Sequence, residues 1–127
     1  MLENPYQQYK QISIMTASPG ELTLMLYDGC LKQIGLANKF IDSHEKKNIA
    51  LQKAQAILTE LMSTLDMDYE ISYNLFHMYE FIFRLLVHAN IKNSKEDLDH
   101  ASALLSDLRQ AWAETVNKHR RGLHNDE

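Results

Sequence analysis

Apolar residues in this chain recur three and four positions apart, in four stretches separated by short polar breaks. Leu51, Ala54, Leu58, Leu61 and Leu65 keep that spacing, as do Leu98, Ala101, Leu105, Leu108, Trp112 and Val116. A period near 3.6 residues puts such positions on one face of an α-helix, whereas a half-buried strand needs alternation. Residue choice agrees: eighteen Leu and ten Ala stand against two Val, and Leu and Ala favour helix where Val favours strand. Four Gly and two Pro among 127 residues are too little turn chemistry for a sandwich or barrel of many short strands.

The breaks set the helix ends. Ser18-Pro19-Gly20-Glu21 joins a capping hydroxyl, a proline suited to the first helical position and an acid placed to close a capping box. Helix 1 is therefore predicted over residues 19–42. Ser43 or His44 opens the next connection, and helix 2 is predicted over 45–65. Asp66-Met67-Asp68 interrupts the pattern, with Asp68 placed to cap helix 3 over 69–92. Asn93-Ser94 breaks it again; Ser94 caps helix 4, with Asp97 three residues on, and the apolar repeat fades near Lys118. Links this short cannot return the chain to the other end of a helix, so successive helices are antiparallel. The expected fold is all-α: an antiparallel four-helix bundle at 18–120, an N-terminal arm at 1–17 and a flexible tail at 121–127.

Composition and motifs exclude several functions. Net charge is −4, and the thirteen Lys and Arg are dispersed, so no basic face exists for a phosphate backbone. Six aromatics lie between Tyr69 and Phe83, but no Lys or Arg stands between Lys53 and Arg84, where there are five acids; nucleic acid is not an expected partner. A lone Cys30 can form neither an internal disulfide nor a Cys-rich zinc site, and its place on the core face of helix 1 reads as a packed thiol. The series His77, Glu80, Arg84, His88 lacks the Glu-x-x-His on a second helix that a di-iron bundle requires. Neither a metal nor any other cofactor is expected. A histidine phosphotransfer domain would show His-x-x-Lys-Gly; His77 and His88 are followed by Glu80 and Ile91 instead, and His44 sits at a helix end. With no glycine-rich phosphate loop and no Ser-His-Asp set, an enzyme is not expected. No apolar run reaches the roughly 18 residues of a membrane span, and Met1-Leu2-Glu3-Asn4-Pro5 lacks the features of a signal peptide. Membrane insertion is excluded and a cytoplasmic location expected.

The helices divide their apolar residues unevenly. At ~100° per residue, helices 2 and 4 carry one stripe each, enough for one core. On helix 3, Ile71, Tyr73, Leu75, Phe76, Met78, Tyr79, Ile82, Phe83, Leu85, Leu86 and Val87 cover more than half the circumference, and Phe81 lies in the remaining polar arc. Helix 1 shows the same excess, with Leu24 and Leu31 well round from Leu22, Leu26, Cys30 and Ala37. Such a surplus on a soluble domain requires a cover. Three covers are open: the arm, whose Tyr6, Tyr9 and Ile12 share one edge; an amphipathic or extended partner segment; or a second copy of the chain.

Asn4-Pro5-Tyr6-Gln7-Gln8-Tyr9, the run from Thr16-Ala17-Ser18-Pro19-Gly20-Glu21-Leu22 through Tyr27-Asp28-Gly29-Cys30-Leu31-Lys32, and later Leu51-Gln52-Lys53-Ala54-Gln55, Met78-Tyr79, Ala89-Asn90-Ile91-Lys92 and Leu108-Arg109-x-x-Trp112 resemble the flagellin export chaperones, the FliS family. The resemblance spans nearly the whole chain. It implies a helical bundle that binds the disordered C-terminal segment of new flagellin in the cytoplasm, prevents premature polymerisation and delivers it for export. It further implies an arm that folds back over the binding surface, a functional part for Tyr9, and contacts with export-gate and flagellar regulatory proteins. Phe83-Arg84-Leu85 and His88 depart from the family pattern, so only the hydrophobic groove carries over there. The candidate partner-contact residues are Tyr6, Tyr9, Ile12, Leu24, Leu31, Tyr73, Phe76, Phe81 and Ile91. A self-associating bundle, forming a homodimer, and a histidine phosphotransfer domain are the alternatives.

Overall fold

The computed structural model describes residues 19–125, with side chains from 20 to 118. All regular structure among them is helical: α1 spans Pro19–Lys39, α2 His44–Ser63, α3 Glu70–Lys92 and α4 Lys95–Asn125. Each helix packs against the next, and α4 closes the bundle on α1. The helices thus stand at the corners of a square, with α1 and α3 across one diagonal, as the spacing and short links predict.

Polar chemistry determines where each helix stops. The backbone past Lys39 continues as turns, Phe40 N–H donating to Leu36 O at 2.9 Å and Ser43 N–H to Phe40 O at 2.9 Å, so α1 ends three residues before the predicted end. Ser43 then caps α2, its side chain accepting from Lys46 N–H. Thr64 terminates α2, and its hydroxyl donates to Leu61 O at 2.7 Å. Asp68 does not cap α3: Asp66 Oδ1 accepts from Asp68 N–H at 3.0 Å in a local turn, and Tyr69 occupies the cap position with no side-chain bond. Tyr69 N–H donates to Asp66 O at 3.2 Å, so the turn set by Asp66 runs through Tyr69 and the helix starts one residue later than Asp68 could cap. Asn93 ends α3 in the left-handed conformation, φ 53°, which Asn tolerates better than most residues. Ser94 caps α4 as expected, accepting from Asp97 N–H at 3.2 Å. That helix then runs on to Asn125, beyond the apolar repeat that ends near Lys118. The predicted Ser18 cap lies outside the described residues.

The core is one cluster drawn from all four helices, including Cys30, Ile34, Ala37, Leu51, Leu58, Leu61, Ile82, Leu86, Leu98 and Leu105. Within it lie two phenols. Tyr27 of α1 and Tyr79 of α3 meet across the diagonal, hydroxyl to hydroxyl at 2.5 Å. Burying either hydroxyl alone would cost about 1 to 3 kcal/mol, so each is the other's compensation. Three polar ties fasten α1 to α4: Asn38 Nδ2 donates to Asp99 at 2.8 Å, Arg109 Nε to Asp28 at 2.9 Å, and Trp112 Nε1 to Gly20 O at 2.9 Å. Gly20 has no room to spare there, since a Cβ would come within 3.0 Å of Val116.

Candidate partner-binding surface

Among the described residues, the outward face of α3 is where the surplus stays exposed. Its inner positions, Ser72, Leu75, Tyr79, Ile82, Leu86 and Ala89, are spaced 3, 4, 3, 4, 3 and face the core. A second series, Tyr69, Tyr73, Phe76, Glu80, Phe83 and Val87, is spaced 4, 3, 4, 3, 4 and is rotated off the first. Repeats of this kind are helix-packing seams. The inner seam has its partners within the bundle; of the outer one, Phe83 also reaches the core, while Tyr69, Tyr73 and Val87 stay exposed. Tyr73 is 53% exposed and Ile91, one turn past Val87, is 73% exposed, with Tyr69 and Val87 also exposed. Glu80 interrupts the seam and forms an i,i+4 ion pair with Arg84.

Each end of this face meets a cleft. At the Tyr69 end, a cleft of about 430 Å³ lies between Gly20, Leu22 and Leu26 of α1, Leu65, Ile71, Leu75 and Tyr79, and Trp112 of α4. Its walls are mostly apolar. At the other end, a cleft of about 470 Å³ is lined by Asp42, His44, Lys47, Asn90, Ile91 and Asn93. From Tyr69 to Ile91 the face is ~33 Å long at the helical rise of ~1.5 Å per residue.

The structure brings some predicted residues together and separates others. Tyr73, Phe76 and Ile91 share the outer face of α3, Phe76 half-buried with its ring edge against His77. Phe81 lies further round, toward α4, where its ring meets His100 edge-on at 5.7 Å. The expected surplus on helix 1 is not exposed: Leu31 is half-buried and packed against the core, and Leu24 is half-buried outside both clefts. The physical reason is closeness, since α1 packs more extensively against both α2 and α4 than α3 does. Tyr6, Tyr9 and Ile12 lie outside the described residues. Val87 is an exposed apolar residue that the wheel merges with the core arc, and Tyr69 precedes that arc; separating the two interleaved 3-and-4 repeats would have found both, whereas Ile71, also exposed, belongs to neither repeat.

The titratable groups are structural. Burial pushes the Cys30 thiol up to about 12, and the thiol donates to Ala54 O at 3.6 Å. Burial also raises Tyr27 and Tyr79 above the ordinary phenol value. A hydrogen bond from the His88 ring holds the Asp97 carboxyl below its ordinary value and links α3 to the first turn of α4. Among the described residues, no group of three or more His, Cys, Asp or Glu is placed to hold a metal ion. No helix among them is long and apolar enough to cross a membrane.

Fold and surface together define a helical-bundle protein with an apolar helix face that none of the other described helices covers. The family model described as "Flagellar protein FliS" matches residues 2–119. The chain is similar to the flagellar secretion chaperone FliS of Bacillus subtilis (strain 168), 46% identical over 125 residues, covering 97% of this chain and 94% of that protein. It is also similar to the flagellar secretion chaperone FliS of Salmonella typhimurium, 33% identical over 119 residues, covering 87% and 88%. A crystal structure of a flagellar chaperone from bacteria superimposes with a TM-score of 0.73 over 89% of this chain and 95% of that one; at 22% identity it supports the fold. The chain belongs to the FliS family, a family of flagellar secretion chaperones and not of enzymes.

Proposed function

We propose that the chain is a cytoplasmic chaperone that holds the disordered C-terminal segment of flagellin on the outer face of α3, prevents its polymerisation and delivers it for export. The observation that carries this reading is the second 3-and-4 seam on α3, which offers an amphipathic segment the same geometry that the bundle uses internally. Covering that seam would hide on the flagellin segment the apolar positions it needs for assembly. A segment that is disordered when free loses entropy on docking, which limits affinity in spite of a long contact and favours later release. The exposed tyrosines suit a half-wet surface, apolar in body and polar at the tip.

The arm, with Tyr6, Tyr9 and Ile12, acts in this reading as a removable cover, because it precedes the start of α1, where Gly20 and Leu22 wall the apolar cleft. Export-gate and flagellar regulatory proteins are further partners that the family resemblance implies. Light scattering on the purified chain with a flagellin C-terminal peptide tests the reading. A defined complex with the peptide supports it; a dimer of the chain that ignores the peptide refutes it. Tyr73→Asp should abolish the complex while leaving helical circular dichroism unchanged. Deleting residues 1–15 should alter peptide affinity, and an unchanged value would remove the cover.

A further inference from the structure

The cleft where α3 ends holds a buried cation that no carboxylate among the described residues pairs with directly. Lys47 is 3% exposed, although charged side chains are almost never fully buried unless paired. Its ammonium donates to Asn90 O at 3.2 Å and to Asn93 Oδ1 at 2.7 Å, both neutral acceptors. No carboxylate among the described residues lies within ion-pair distance of it. An ammonium has three N–H donors, so one remains uncommitted beside a cleft that Lys47 itself lines. Capping the carbonyl end of α3, where a cation is favourable, explains two of the donors. It explains neither the third nor the missing anion.

We infer that this cleft is the seat of a chain-terminal carboxylate, that of the flagellin segment bound along α3; the inference rests on the reading proposed above. Three observations place the carboxylate here. Lys47 offers a desolvated charge, and the first residue of α2, His44, puts the positive end of that helix on the same cleft. Opposing it are the carbonyl end of α3 and Asp42, an exposed side chain screened by water. That balance suits one negative charge better than the two of a phosphate. Finally, Ile91 is both a wall of the cleft and the last apolar residue of the outer face. A segment following the seam from Tyr69 toward Ile91 runs off the bundle at this point, so its chain end, and not an internal side chain, reaches Lys47. The bound segment therefore runs parallel to α3.

The test uses one flagellin C-terminal peptide made twice, with a free carboxylate and with an amide, titrated calorimetrically into the full chain. Amidation should weaken binding about tenfold or more, the loss of one charge-assisted hydrogen bond to a desolvated ammonium. In Lys47→Met the two peptides should bind equally. Because that variant also loses the ties to Asn90 and Asn93, its thermal melt is recorded and the ratio of the two affinities is read; if it does not fold, the wild-type pair alone decides. Equal, measurable affinities in the wild type overturn the inference and leave the flagellin reading standing, and an amide penalty that survives Lys47→Met overturns it too. Binding of neither peptide refutes the flagellin reading and the inference with it.

Discussion

Ile82 and Ile91 are the same residue type on one helix with opposite expected roles, and truncating each to Ala separates fold from surface. Ile82 is fully buried in the core cluster, and Ile91 is 73% exposed. Full burial of an Ile side chain contributes about 1.5 to 3 kcal/mol. For Ile91, roughly three-quarters of that remains for a partner to recover, about 1 to 2 kcal/mol, or about five- to thirtyfold in affinity. Ile91→Ala should therefore weaken flagellin-peptide binding by that factor, with folding stability changed by less than about 0.5 kcal/mol. Ile82→Ala leaves a cavity and should cost about 2 to 5 kcal/mol of stability. Isothermal calorimetry reads the affinity and urea denaturation the stability. If Ile91→Ala destabilises the fold by more than about 1 kcal/mol, the residue belongs to the core. If it leaves affinity unchanged, the outer seam is not the contact surface at that end.

Other predictions concern the scaffold. Gly35 lies inside α1 with nothing within 4 Å of where a Cβ would sit, so Gly35→Ala should stabilise the chain by about 0.5 to 1 kcal/mol in urea denaturation. Tyr79→Phe should cost about 1 to 2 kcal/mol because it orphans the Tyr27 hydroxyl, whereas the double Tyr27→Phe, Tyr79→Phe variant should lose less than the sum of the single changes. Three buried acids, Cys30, Tyr27 and Tyr79, hold their protons more tightly in the folded state. Below the ordinary thiol value of 9.0 both states are protonated; above it the unfolded chain ionises first, so stability should fall as pH rises from 9 toward 12. Thermal melts across that range check the slope, and a flat profile would contradict the burial of these groups.

Sequence carries the architecture because its signals are local. The 3-and-4 spacing of α2 and α4, Ser94 as a cap, and the brevity of the links all act within a few residues. Several residues that carry the family resemblance turn out to be scaffold: Tyr27 bonds Tyr79, Arg109 bonds Asp28, and Trp112 bonds Gly20 O. Those pairs lie 52, 81 and 92 positions apart, and no local pattern reveals them. The surface was legible only in part. A helical wheel shows that α3 has more apolar residues than one core needs, but it cannot say how closely each helix packs against its two neighbours. That is why the same excess on α1, at Leu31, goes to packing while Tyr73 and Ile91 stay exposed. Lys47 was equally hidden, since a lysine in Glu45-Lys46-Lys47-Asn48 looks like any solvated one until α3 ends beside it.

The central claim is that the outer seam of α3 is the surface a flagellin segment covers. Methyl NMR of the chain labelled at Ile and Val, titrated with a flagellin C-terminal peptide, tests it directly. Ile71, Val87 and Ile91 should shift, while the core residues Ile34 and Ile82 and the exposed Ile49 of α2 should stay in place. Shifts centred on Ile49 with Val87 and Ile91 unmoved would contradict the account.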